Sequence, residues 1–390
     1  MTTTTPTHVA LIPRDGMFCK DGRGWQTSTS NRGHALDWPW PSTVLGALRT
    51  ASGRREEAVH DRRFTAADWQ CHTADITLAR TLVLRRDRAA SWEVRHRVWP
   101  APADARRLES LDVMHRLQPV PPSLPTLGRD DDVAREALWV PVLPDRAKPV
   151  VTPRWWSEAR FATWLAGDAV PASDAANAFD LTRRIQAHVQ IRPEVLTAAD
   201  GALYSHDVLE TWSRDAEWAI GVEVALPSAG LPGHVTLGSD GRLAGIEPMS
   251  HRLFDMATQV VAAFRAGSRG LRIVTVTPAC FAEGWLPDGI ARHGCELRGR
   301  ITGLDAELVL RAAIVPRPNY ISGWDIANNR PKPTAAMVPA GAVYFFERAD
   351  GAPIREADAR RLWLAAVGER TGEGFGRIVP GTWNFTRSET

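Results

Sequence analysis

Val338–Glu347 reads VPAGAVYFFE, and Thr371–Arg377 reads TGEGFGR. The first run is made of small, β-branched and aromatic residues, the composition of a strand buried on both faces. Ala359, Leu362, Trp363, Ala366 and Val367 follow at helical spacing, with Gly368 placed to stop that helix. PGTWN at Pro380–Asn384 reads as a further strand. The order is buried strand, helix, glycine-rich loop, strand. Gly372, Gly374 and Gly376 let the backbone pass through positive φ and approach a neighbour closely. The loop follows a helix instead of opening one, so it is not the phosphate loop of a nucleotide enzyme. It reads equally as an anion nest of backbone N–H groups or as a tight turn packed on its sheet. Its placement points to RNA before ATP.

The same mixture of elements runs through the rest of the chain. His8–Pro13 reads as a first strand, LDWPWP at Leu36–Pro41 as a loop, and Ser42 as the N-cap of a helix through Leu45 and Leu48 to about Ser52. Thr77–Arg88 and Ser91–Trp99 read as a hairpin, Leu138–Leu143 as a short strand, and Trp155–Leu165 as a helix packed through Trp156, Ala159, Phe161 and Trp164. Ile185–Arg192, Arg272–Thr277 and Glu307–Ile314 read as strands. Trp218, Ile220, Val222, Val224 and Leu226 alternate on one strand face, and GSDG at Gly238–Gly241 signals a hairpin turn. Leu253, Met256, Ala257, Val260, Val261 and Phe264 fit one amphipathic helix. Strands, hairpins and helices in both halves predict an α+β protein with antiparallel sheets and extended loop insertions, and two ferredoxin-like (RRM-like) domains fit. The polar stretch Gly167–Asp174 sets the expected boundary: residues 1–170 with a basic hairpin insertion, then residues 171–390 with the glycine-rich loop.

The bulk numbers limit the function classes. A formal net charge of +2 over 390 residues means that any anion-binding face must arise from local segregation of charge. Of the 47 basic residues only Lys20, Lys148 and Lys332 are lysine, a bias that a GC-rich genome explains as well as RNA binding does. The sixteen tryptophans are core or interface residues by default. Cys19, Cys71, Cys280 and Cys295 have neither metal-ligand nor redox spacing, so neither disulfides nor a zinc site is expected. MTTTTPTHVA has no basic region followed by an apolar signal core, and no run has the length of a membrane span, which predicts a soluble, cytoplasmic protein. GxSxG, GxxxxGK[ST] and paired-carboxylate constellations are missing, and no cofactor is expected.

Four segments carry candidate binding chemistry, each with a plain alternative. In FCKDGRGW at Phe18–Trp25, Lys20 and Arg23 flank an Asp21–Gly22 turn closed by Trp25. It reads as a loop gripping phosphate and stacking a base, or as a turn with solvated charges. Thr77–Arg107 carries eight arginines against three acids, enough to line a nucleic-acid channel or to form a solvated hairpin. GWDIANNRPKP at Gly323–Pro333 sets Arg330 and Lys332 among prolines in an exposed contact loop, for RNA or for protein. RRIQAHVQIR at Arg183–Arg192 puts Arg184, Gln186, His188, Gln190 and Arg192 on one strand face, for RNA or for solvent. His34 and His188 are the histidines with a neighbourhood suited to a general base.

These stretches, taken in order, resemble one family: the third subunit of the Cmr (type III-B) CRISPR effector, a RAMP-superfamily protein of the Cas-five group. The resemblance rests on RDGMFCKDGRGW (Arg14–Trp25), PWPSTVLGALRTA (Pro39–Ala51), HVQIRPEVLTAADGALYS (His188–Ser205), ISGWDIANNRPKP (Ile321–Pro333), VPAGAVYFFE and TGEGFGR. It implies two ferredoxin-like domains and a non-catalytic, RNA-binding role in an antiviral ribonucleoprotein. There the family holds the 5′ repeat-derived tag of the CRISPR RNA at the foot of the complex. It contacts the large polymerase/cyclase-like subunit and a backbone RAMP subunit, and is not a homo-oligomer. Carried over by position, the implied RNA contacts are Lys20, Arg23 and Trp25; Ser42, Gly46 and Arg49; His188, Gln190 and Arg192; and Gly372, Gly374, Phe375 and Gly376. Arg330 and Lys332 join them from the contact loop. Met17 and Cys19 stand where the family pattern is more aromatic, so Trp25 is expected to take over base stacking. Two other readings remain: a metal-independent endoribonuclease using His34 or His188, and a scaffold that bridges proteins through its tryptophans.

Overall fold

The computed structural model describes residues 5–20, 32–33, 35–87, 90–109, 111–121, 138–143, 145–173, 177–214, 216–226, 231–325 and 330–385. In chain order, β1 is Thr5–Pro13, α1 Pro41–Val59, α2 Ala66–Thr73, β2 Thr77–Asp87, β3 Arg97–Pro100, β4 Trp155–Ser157, α3 Glu158–Ala166 and β5 Ala178–Phe179. Then come β6 (Arg183–Arg192), β7 (Thr197–Leu209), β8 (Ala216–Leu226), β9 (His234–Thr236), β10 (Leu243–Pro248) and α4 (Thr258–Arg265). The remainder are β11 (Gly270–Thr275), β12 (Ile290–His293), β13 (Glu296–Gly299), β14 (Leu308–Ile314), β15 (Val343–Arg348), α5 (Glu356–Leu362), β16 (Ala365–Ala366) and β17 (Arg377–Trp383), with shorter strand pairs between some of them.

Two large sheets organise the chain. One has eight strands in the order β5-β4-β3-β2-β8-β1-β10-β9, and the other seven in the order β12-β13-β14-β15-β11-β17-β16. Neighbours in both are antiparallel, so the chain is α+β with antiparallel sheets and few helices. β8 lies between β1 and β2, which makes β1–α1–β2 a split β-α-β unit. β11 splits β15–α5–β17 in the same way. The boundary expected between residues 170 and 171 cuts the first sheet, because β8, β9 and β10 belong to it; the second sheet begins at Gly270. The signal at Gly167 is a helix end: it is the left-handed C-cap of α3, with φ 97°.

β8 shows why the sheets stack. Ile220, Val222, Val224 and Leu226 pack with Val9 and Leu11 of β1 against Val44, Leu45 and Leu48 of α1. The opposite face holds Ala219, Ala10, Ile12, Leu82 and Leu84, and these join Val260 and Phe264 of α4 and Leu271, Ile273 and Phe345 of the second sheet. The strand pattern of period two thus serves two cores, and one of them joins the sheets. A buried ion pair crosses that junction, and a second lies beside it. The Arg272 guanidinium donates to Asp104 at 2.8 Å with both side chains fully buried, and the Trp164 indole donates to the same carboxylate at 3.0 Å. Arg97 and the Trp99 indole both donate to Glu158, and Arg97 also reaches the carbonyls of Leu253 and Asp255.

Several elements depart from the sequence reading. The N-cap of α1 is Trp40, with no side-chain bond, because Pro41 takes the first helical position and starts the helix two residues early; Ser42 lies inside it. Trp155 and Trp156 extend as β4, and Ser157 caps α3 by accepting from the Arg160 amide. The segment starting at Leu253 is a 3₁₀ turn (His251–Phe254) that breaks before α4. α5 stops at Leu362, since Leu364 takes φ 56° and Ala365–Ala366 pairs with β17. The arginine-rich hairpin is not an open basic surface. β2 pairs with β8, setting Arg86 opposite Glu217 and Arg80 opposite Glu223. Arg80 lies 2.6 Å from Glu223, and Arg86 lies 2.7 Å from Glu217 and 3.0 Å from Glu247. These are cross-strand ion pairs inside the sheet.

Candidate nucleic-acid interface

The glycine-rich loop is built around Phe375. Its ring is fully buried with Ile321 and Met337, against Trp40 and Cys280, so base stacking is not available to it. Gly374 has φ 90°, and a Cβ there would lie 3.0 Å from Leu78 and 3.1 Å from Pro41. Gly376 has φ 70°, and a Cβ there would lie 1.9 Å from the Val367 carbonyl oxygen. Gly374 lets the loop press onto the start of β2 and of α1, and Gly376 lets it pass against the backbone that follows α5. The loop's amides turn inward: Glu373 donates to Arg370, Gly374 to Thr371, Gly376 to Pro278, and Arg377 to the Thr277 hydroxyl. The packed-turn reading describes this loop better than the anion nest. Gly372 is the exposed glycine of the set.

Around this hub the chain gathers charge from distant segments. Arg370 holds Glu373 with two hydrogen bonds, at 2.7 and 2.8 Å, and its guanidinium lies 4.9 Å from the Phe375 ring. Burial opposes ionisation of Glu373, yet the Arg370 fork and the charges of Lys332 and Arg49 hold its carboxyl below the usual range. Arg49, Lys332 and the loop are therefore neighbours. Arg49 itself is committed to structure: it donates to the Ile76 carbonyl at 2.9 and 3.2 Å and to that of Ala74 at 3.2 Å, tying α1 to the entry of β2. Burial lowers its pKa, and Glu373 opposes that shift. Arg377 is buried, donates to the Thr371 carbonyl at 2.7 Å, and is pushed down to about 10 by burial, with the Arg80 charge adding. Ser42 is half-buried and Gly46 exposed on α1.

From the hub a projection runs outward between β14 and β15. Asn319–Ile321 pairs with Ala335–Met337, and beyond them Trp324–Asp325 pairs with Arg330–Pro331. Ile321 and Met337 root it on Phe375. Tyr320 is 67% and Trp324 56% exposed, and Arg330 and Lys332 are exposed beside them. Aromatic faces interleaved with cations suit a single-stranded nucleic acid, offering stacking and phosphate contacts together.

Next to it lies a cleft of about 460 Å³ whose walls come from both halves. Trp38, Trp40 and Trp155 line it with Arg154 and Arg183, facing Thr277, Pro278 and Asn319. Asp37 pairs with both Arg154 and Arg183, so one carboxylate holds two guanidinium groups at the rim. Flat apolar walls with a fixed arginine pair fit a planar ligand carrying negative charge, such as an unstacked nucleotide. Most of these residues escape a reading by segment, because they come together only when the sheets stack. LDWPWP, which places Asp37, Trp38 and Trp40, was the available signal.

β6 and β7 form an arm with Arg32–Gly33 at its edge, separate from the two large sheets. Gln190 and Arg192 are exposed near its tip, where Arg192 donates to the Ala198 carbonyl at 3.3 Å. His188 lies further down, half-buried in a ring stack between Tyr204 and His206. Lys20 is half-buried where the segment after β1 bridges to Ala35. Arg23, Trp25 and His34 lie outside the described residues. Among the described residues two groups have metal-ligand chemistry: Glu56 and His60 at the end of α1 with His72 of α2, and His188, His206 and Asp240 at the root of the arm. Among the described residues no helix is long and apolar enough to cross a membrane.

A family profile described as CRISPR-associated protein (Cas_Cmr3) matches residues 9–383. The chain belongs to the Cas_Cmr3 family. Among solved structures, the chain is similar to one chain of the type III-B Cmr-beta complex bound to cognate target RNA, at 12% identity and a TM-score of 0.44, covering 88% of this chain and 86% of that one. A second Cmr-beta structure, with target RNA and AMPPnP, gives 12% identity, a TM-score of 0.43 and coverages of 87% and 86%. A Cas6 mutant gives 14% identity and a TM-score of 0.22, over 44% of this chain and 82% of that one. No curated protein matches.

Proposed function

We propose that this member of the Cas_Cmr3 family is a non-catalytic RNA-binding subunit of a type III CRISPR effector, holding the 5′ repeat-derived tag of the CRISPR RNA at the foot of the complex. The observation that carries the reading is convergence. The Trp38–Trp155 cleft, the Arg330/Lys332 projection and the rim of the glycine-rich loop lie around one hub, although they are far apart in sequence. Tag phosphates would meet Arg330, Lys332 and the Arg154–Arg183 pair, and an unstacked base would enter the cleft. Gln190 and Arg192 would meet RNA further along the arm. Phe375 and the buried glycines act by positioning these groups. Each large sheet we read as an elaborated ferredoxin-like unit, from its split β-α-β connection. The large polymerase/cyclase-like subunit and a backbone RAMP subunit are the proposed partners, in the cytoplasm, with no self-association.

His188 favours the non-catalytic reading over the nuclease. Its ring is sandwiched by Tyr204 and His206 and its Nε2 atom is buried, a poor position for a base that must reach a ribose 2′-hydroxyl. The test compares occupancy of assembled complexes by guide RNA with an intact or a scrambled tag. Selective occupancy that is lost in Arg330→Ala/Lys332→Ala supports tag recognition here, and equal occupancy for both RNAs overturns it.

A further inference from the structure

The root of the β6–β7 arm has a feature that RNA binding does not require. Phe18, His206, His188 and Tyr204 form one column of rings: Phe18 to His206 at 4.0 Å and 9°, His206 to His188 at 4.5 Å and 22°, His188 to Tyr204 at 5.1 Å and 10°. His188 is on β6 and His206 on β7, and the pairing of Gln186 with His206 and of His188 with Tyr204 puts both on one face of the arm. Stacking explains where the rings sit but not their nitrogens. His206 is 1% exposed, and neither of its ring nitrogens has a hydrogen-bond partner among the described residues; the same holds for the buried His188 Nε2. Native proteins rarely leave such groups unpaired.

A third group faces them from another element. Asp240 sits in the turn between β9 and β10, and its Oδ2 is 3.5 Å from His206 Nε2. The turn is pinned over the column by the Ser239 amide, which donates to the Phe18 carbonyl at 2.8 Å. One nitrogen from each histidine and one Asp240 oxygen all lie within 4.8 Å of one another. Arg242, which lines the same cavity, is already engaged: it lies 2.9 Å from Asp15 and donates to Gln186 Oε1 at 2.8 Å and to the Gly16 carbonyl at 2.8 Å.

We propose that His188, His206 and Asp240 bind one divalent first-row transition-metal ion, with zinc the ion best matched to two imidazoles and a carboxylate. Two ligands come from the arm and one from the first sheet, so the ion cross-links the arm's root to the body. The ion supplies a partner to one nitrogen of each histidine, and its coordination is completed by solvent from the cavity lined by Gln186 and Arg242. It stands independently of the RNA reading.

The test is calorimetric titration of the full chain with Zn²⁺, with Co²⁺ absorption as a second readout of the ligand field. The expected result is one equivalent bound at this site. Asp240→Asn and His188→Gln should each weaken it by more than about tenfold, the least that losing even a supporting partner of a metal ligand costs. Asp240 is exposed on its turn with φ 62°, a conformation asparagine also adopts, so that variant keeps the fold whatever His188→Gln does. His60→Ala controls for the other cluster. No Zn²⁺ binding, binding that survives Asp240→Asn, or binding lost only with His60→Ala would each overturn the proposal.

Discussion

Asp104 and Arg272 are fully buried and face each other across the two sheets. Removing one partner strands the other charge in the core, so Asp104→Ala should destabilise the chain by about 3–5 kcal/mol in chemical denaturation. Asp104→Leu with Arg272→Met, which removes both charges, should recover most of that loss. A loss in the double variant equal to that in the single one would show that the pair matters through packing alone. Gly376 is a second sensitive residue. Its φ of 70° and the contact a Cβ would make with the Val367 carbonyl mean that Gly376→Ala should cost more than about 1 kcal/mol, whereas Gly372→Ala, with 3.7 Å to Thr77, should cost less. Glu373 supplies a pH signature. Its folded-state pKa lies below the ordinary value, so its contribution is fully present above that ordinary value. The contribution is lost as pH falls through the folded-state value. Glu373→Gln should therefore flatten the acid limb of the stability curve, and an unchanged limb would count against the cluster.

At the scale of elements, the projection and the arm carry the accessible chemistry. Arg330 and Lys332 are exposed beside Trp324 and Tyr320. If both cations meet phosphates, Arg330→Ala/Lys332→Ala should lower the slope of log affinity against log salt by about 1.4, near 0.7 per single-strand phosphate contact. Trp324→Ala should weaken binding with little change in that slope, since stacking releases no counterion. The elements also show where sequence patterns suffice. Alternation along Trp218–Leu226 finds a true strand, because the core under α1 takes Ile220, Val222, Val224 and Leu226 while the other face carries Ala219, Gly221, Glu223 and Ala225. The helix expected from Leu253 to Phe264 fails in its first turn, where Arg97 takes the Leu253 and Asp255 carbonyls and holds them away from a helical ladder. The arginine-rich hairpin misleads for a similar reason. Its neutralising acids, Glu217, Glu223 and Glu247, lie more than a hundred residues away and become visible only with strand pairing. His188, His206 and Asp240 carry no spacing motif, because three separate elements bring them together.

For the whole molecule, the α+β class and its antiparallel sheets are legible in local patterns, while the way the chain divides its strands between the sheets is not. The polar stretch at Gly167–Asp174 looks like a linker, yet the chain returns after it to complete the first sheet. The candidate interface follows from that return. Its cleft needs Trp38 and Trp155 from the first sheet's surroundings and Thr277, Pro278 and Asn319 from the second's. The glycine-rich loop holds these walls in register by burying Phe375 between them. The most direct test of this account is photocrosslinking in an assembled effector, with 4-thiouridine placed through the 5′ tag of the guide RNA and the crosslinked peptides mapped. The account predicts crosslinks within 37–42, 154–155 and 319–337 of this chain, diminished by Trp155→Ala. Tag crosslinks that fall only on other subunits, or on the faces of this chain away from the cleft, would contradict it.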